Sequence, residues 1–137
     1  MISRTRALIW LLRLFGGMTL LALPFVFVPT GWMITIHERL SLGSFPQGPI
    51  TEYLARSLSA FYAGWGALAL LFSTDVKRFR PAILLLAGAI VAFSLVVLWI
   101  DLKVGMPASW TWSEGPVALP IGVAMWWLAS RVGEPGT

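Results

Sequence analysis

Residues 82–100 read AILLLAGAIVAFSLVVLWI, a run with no charged side chain and a single hydroxyl, Ser94. A hydrocarbon core about 30 Å thick takes roughly 20 residues of helix at about 1.5 Å per residue, so this stretch reads as a membrane-spanning helix. The rest of the chain agrees with it. Of its 137 residues 58% are hydrophobic and 12% charged, where soluble domains carry roughly 25% charged residues. One small globule cannot hide that much apolar surface. The sequence predicts a single domain, 1–137, and an all-α integral membrane protein with four transmembrane helices in a bundle.

Three further spans follow from the same length rule. Residues 7–28 hold one, with Arg13 near enough to its start for the guanidinium to reach the headgroups along its own methylenes. Residues 54–72 hold the next, with Arg56 just inside. The last, 114–131, is short, and must carry Glu114, tilt little or sit in a thinned bilayer. The basic, then apolar start resembles a signal peptide, but the run is long and no small-residue cleavage site follows, so an uncleaved first span is expected. Arg4, Arg6, Arg13, Lys77, Arg78, Arg80 and Arg131, seven of the ten basic residues, then fall on one side. By the positive-inside rule that side is cytoplasmic. It holds both termini and the loop 73–81, while loops 29–53 and 101–113 face outward. The expected location is the bacterial inner membrane, multi-pass.

The charge distribution also answers the net charge of +4. The basic residues are scattered and lack interleaved aromatics, so no nucleic-acid partner is expected. With no cysteine there is no disulfide, thiolate metal site or nucleophilic thiol. One histidine makes a His-rich metal centre impossible within a single chain, and no metal is expected.

On the second span Ala55, Ser59, Ala63 and Ala67 recur every four residues, a small-residue ladder that lets helix backbones approach in lipid. With Gly88 and Ala92 on the third span, it predicts close packing of the second helix on the third, or an interface in a homo-oligomer. Pro24 and Pro120 predict kinks. Trp10, Trp126 and Trp127 mark one aromatic belt, and Trp32, Trp99, Trp110 and Trp112 the other. Trp65 stands apart, mid-helix near Phe61 and Tyr62, an aromatic patch that reads as internal packing or as a contact for a quinone, carotenoid or sterol.

In the first outer loop WMITIHERLSL, residues 32–42, predicts a short interfacial helix capped by Thr30, with an apolar stripe of Trp32, Met33, Ile36 and Leu40. Six ionisable residues gather at this end: His37, Glu38, Glu52, Arg56, Asp101 and Glu114. Arg56 is the most informative, because an arginine in a span costs roughly 2.5–3.5 kcal/mol at mid-membrane and less toward the edge. It must have partners. Glu52, four residues earlier on one helix face, is one, and Asp101 and Glu114 are others. The cluster reads either as a structural ion-pair network or as an outward-facing polar pocket at Arg56, with His37 and a carboxylate able to move protons. No nucleophile, phosphate loop or metal-ligand spacing accompanies it, and HERL lacks the second histidine of a zinc-protease motif.

The segments YLARSLSAFYA, DVKRFRP, and GMP with EGP in the last outer loop resemble a group of small bacterial four-helix membrane proteins similar to the DoxX-like class. The resemblance implies a four-helix bundle with Arg56, Asp75, Asp101 and Glu114 as framework or site residues. For the wider class it implies quinone-linked or thiol-linked electron transfer with a membrane partner. Lacking cysteine, this chain would leave any thiol chemistry to that partner. Two functions therefore stand open. One is an accessory or interaction subunit binding lipid or a larger membrane complex. The other is a quinone-linked or lipid-modifying enzyme subunit using the outer pocket. No cofactor is evident, quinone or lipid being the candidates.

Overall fold

A computed structural model describes residues 3–133. Among them lie six α-helices and one 3-10 turn, without strands: α1 (Arg4–Leu20), the 3-10 turn Leu23–Val26, α2 (Thr30–Arg39), α3 (Pro49–Phe72), α4 (Arg80–Val104), α5 (Ala108–Ser113) and α6 (Gly115–Ser130). Three stretches, Arg4–Val26, Pro49–Phe72 and Arg80–Val104, are long and apolar enough to cross a membrane. α6, the expected fourth span, has only 16 residues, about 24 Å of helix, and it does not extend back through Glu114. The backbone breaks there at φ −100° and ψ −87° before α6 starts on Gly115 and Pro116. Proline suits that position, since its missing N–H would have no helical partner anyway.

Local chemistry explains the other boundaries. Ser3 Oγ accepts from Arg6 N at the start of α1, and prolines open α3 and α4. Gly105, at φ +72°, ends α4 in the left-handed conformation, its N–H donating to Asp101 O. Pro24 lies in the 3-10 turn that follows α1, so the break comes where a kink was expected, whereas α6 runs on through Pro120. α2 starts earlier than expected, and Thr30 is its first residue rather than its cap. Met33 is the buried member of its apolar stripe, with Trp32, Ile36 and Leu40 exposed.

The long helices pack as two pairs. α1 lies along α3 and α4 along α6, with a smaller contact between α1 and α6, while α3 and α4 touch sparsely. This corrects the expected pairing of the second span with the third. Consecutive in sequence, α3 and α4 are held together at the connector 73–79, where Val76 is buried and the Phe72 and Phe79 rings lie 5.3 Å apart. Toward the opposite end, which carries the longer loops, they separate.

Each pair is set by glycine. A Cβ on Gly16 would lie 2.8 Å from Gly66 O, and one on Gly66 2.7 Å from Gly16 O, so α1 and α3 cross backbone against backbone. A Cβ on Gly115 would meet Ser94 O at 2.7 Å, and one on Gly122 would meet Val91 Cγ2 at 2.9 Å. Close approach of this kind supplies the dispersion contacts that hold apolar helices together where lipid is as apolar as they are. The small-residue face of α3 is accordingly rotated from the ladder read in sequence. Ala63, Gly66 and Ala69 are buried, Ala55 and Ser59 half-buried, and Ala67 exposed. Gly88 meets the Trp126 ring on α6, not α3. The closed core sits at the connector end, where Leu8, Leu12, Val76, Ile83, Met125 and Ala129 meet.

Candidate functional site

The six ionisable residues do not form one pocket. Arg56 is spent on the end of the first helical stretch. Its Nη1 donates to Val26 O at 2.8 Å and to Val28 O at 3.0 Å, its Nη2 to Thr30 Oγ1 at 3.4 Å, and Glu52 Oε2 lies 3.6 Å away. Helix ends leave carbonyls without partners, and a guanidinium fork can satisfy two at once. Arg56 is thus a clamp between α3 and the chain leaving α1. Arg80, which the sequence reading used for orientation alone, does the same at the other end of the molecule. Its Nε donates to Ala129 O at 3.0 Å and its Nη2 to Ser130 O at 2.9 Å, closing the end of α6.

The remaining members separate. His37 packs edge-on against Phe45 at 5.3 Å, and Glu38 is exposed. Asp101 is 5% exposed and its Oδ2 has no hydrogen-bond partner. Asp75 accepts from Arg78 N at 3.0 Å and caps the connector turn. Glu114 is the one member that meets a cavity.

Where the helix pairs part, they enclose a cleft of about 590 Å³, within the usual range of roughly 300–1,000 Å³ for ligand sites. α1 contributes Phe15, Met18 and Thr19; α3 contributes Phe61, Tyr62 and Trp65; α4 and α6 supply the facing wall from Ile90 and Phe93 to Val117 and Ile121. Along α6 the cleft runs from Glu114 to Ile121, about 10 Å at 1.5 Å per residue. Its hydroxyls are turned away from any ligand. Thr19 Oγ1 donates to Phe15 O at 2.9 Å, Ser94 Oγ to Ile90 O at 2.7 Å and Ser113 Oγ to Trp110 O at 2.9 Å. Back-bonding of this kind leaves a helix face effectively apolar.

Polarity is therefore confined to one end. Tyr62 Oη donates to Glu114 Oε1 at 3.2 Å, joining α3 to the head of α6, and the Tyr62 ring meets Phe93 edge-on at 6.2 Å. Among the described residues no Lys, Arg or His lines the cleft. Among the described residues no group of three or more His, Cys, Asp or Glu is placed to hold a metal ion. Sequence reasoning found Glu114 and the aromatic patch of Phe61, Tyr62 and Trp65, all of which line the cleft, but not the bond from Tyr62 to Glu114, because the helix opposite a tyrosine is not written in its own span. Compared with family models, with curated proteins and with solved structures, the chain finds no match.

Proposed function

We propose that the protein is a small multi-pass membrane protein that binds a membrane lipid in the cleft between its two helix pairs. The observation that carries this reading is the cleft itself: about 590 Å³ of apolar wall with its hydroxyls back-bonded and one carboxylate at one end. Such a site suits a molecule with a long apolar body and one polar end. Its length of about 10 Å is roughly two thirds of a single leaflet, which is about 15 Å or half of the hydrocarbon core. A quinone is a poorer fit, since its carbonyls need a donor and the Tyr62 hydroxyl is already given to Glu114.

In this reading α6 is the fourth span, the connector end and both termini are cytoplasmic, and the cleft opens in the outer half of the inner membrane. The exposed Leu58, Phe61, Leu85, Leu95 and Trp99 side chains face lipid. Binding lipid without chemistry of its own, the protein serves as an accessory subunit.

The absence of native cysteine makes topology directly testable. Ser44→Cys should react with an impermeant maleimide on intact cells and Thr74→Cys only after lysis. The reverse pattern, or protein released from membranes by carbonate, would sink the topology. For the ligand, protein purified in mild detergent should carry phospholipid that Ala92→Trp displaces, because Ala92 lines the cleft. Equal lipid in both would refute the cleft as its site.

A further inference from the structure

The cleft also specifies the chemistry of the head it receives, an inference that rests on its being a lipid site. We infer that the lipid carries a protonated primary amine, bound at Glu114. Three observations converge. Among the described residues Glu114 is the one acidic side chain on the cleft wall, and no basic residue lines the cleft. The Tyr62 hydroxyl occupies Oε1 alone, whereas a carboxylate offers about four lone-pair sites. Glu114 also stands at the cleft's end, beside Ser113 and the break before Gly115, where a lipid's head emerges while its chain lies against Phe93, Ile90 and Trp65.

An ammonium group presents three N–H donors and supplies the positive charge the site lacks, and the attraction is strengthened by the low dielectric of the apolar wall. A phosphate placed there would meet a carboxylate and no cation. A trimethylammonium keeps the charge but has no N–H to give, and its methyl groups hold that charge farther from the carboxylate; of the aromatic faces that favour it, Tyr62 and Phe93 are already packed edge-on against each other. The apolar end takes any acyl chain of sufficient length, so discrimination falls on the head.

Native mass spectrometry of the intact protein tests this with three dioleoyl lipids at equal concentration: phosphatidylethanolamine, phosphatidylcholine and phosphatidylglycerol. Wild type should bind the ethanolamine lipid roughly tenfold better than the others, the scale of one charge-assisted hydrogen bond. Glu114→Gln, which can still accept from Tyr62, should bring the three to within about twofold of one another at unchanged helix content. Tyr62→Phe keeps the carboxylate and should keep the preference. Ala92→Trp should lose all three lipids. If Glu114→Gln retains the wild-type preference, or wild type favours phosphatidylglycerol, amine recognition is wrong while the lipid cleft stands. If Ala92→Trp binds as wild type does, the lipid site itself is misplaced. A wild-type dimer that binds none of the lipids would put a helix of a second copy in the cleft and overturn both.

Discussion

In the α1 and α3 pair the closest approach is backbone on backbone, Gly16 and Gly66 each lying where the other's carbonyl oxygen leaves no room for a methyl group. In the α4 and α6 pair Gly115 meets Ser94 O in the same way and Gly122 meets Ala87 O at 3.2 Å beside the Val91 and Ile90 methyls, while Gly88 receives the Trp126 ring alone. Both pairs are locked by an arginine that donates to main-chain carbonyls, Arg56 at the loop end and Arg80 at the connector end. The difference lies in what can yield. A ring edge can swing aside; a carbonyl in a helix cannot. The second pair can therefore give way at Gly88, as the first cannot at Gly16 and Gly66.

The sharpest way to break that comparison is a single methyl group. Gly66→Ala should destabilise the protein by about 2–3 kcal/mol, since overpacking against backbone has no cheap relief. Gly64→Ala, two residues away with nothing within 4 Å of its Cβ, should be neutral or gain up to about 1 kcal/mol from helix propensity. Thermal unfolding in one detergent reads both, and equal effects would mean that the crossing is misassigned. Next come the clamps. Arg56→Gln and Arg80→Gln should each cost about 1.5–2 kcal/mol, because charged donors to main-chain carbonyls at helix ends are lost. Lysine should rescue either only partly, as it lacks the planar fork. Hydrogen exchange should localise the first loss to residues 26–30 and the second to the end of α6; uniform loosening would contradict two local clamps.

Tyr62→Phe should cost about 1 kcal/mol or less, the value of one hydrogen bond, and widen the cleft between Glu114 and α3. A spin-label distance between α3 and α6 that does not change would show that Tyr62 does not tie the pairs. The smallest effect belongs to Gly88→Ala, below about 1 kcal/mol, because Trp126 is half exposed and can turn away. A loss as large as that of Gly66→Ala would remove the contrast between a fixed crossing and a yielding one.

Much of this architecture is legible in the chain. The apolar run at 82–100, the prolines that open α3 and α4 and the short amphipathic segment after Pro29 correspond to helices found in the structure. The face of α3 was only partly legible. Steps of four residues drift by about 40° each on a helix of 3.6 residues per turn, so Ala55, Ser59, Ala63 and Ala67 cannot all face one straight neighbour. Ala63 stays on the buried face, Gly66 replaces Ala67, and the ladder bends away. Glu52 was correctly placed beside Arg56, because an i,i+4 pair is settled by one helix alone. The other partners of Arg56, at Val26, Val28 and Thr30, were not legible, since main-chain carbonyls look alike in every sequence.

Local sequence thus determined which segments are helical and, at Pro24, where one of them breaks, because these depend on propensity, length and near neighbours. Tertiary structure alone decided that α3 pairs with α1 rather than with α4, that Arg56 and Arg80 serve as clamps, and that Tyr62 and Glu114 meet at the end of an apolar cleft. Helices that are apolar on every side carry no hydrophobic pattern to name their neighbours, so the choice falls to close packing and to a few hydrogen bonds between residues distant in the chain.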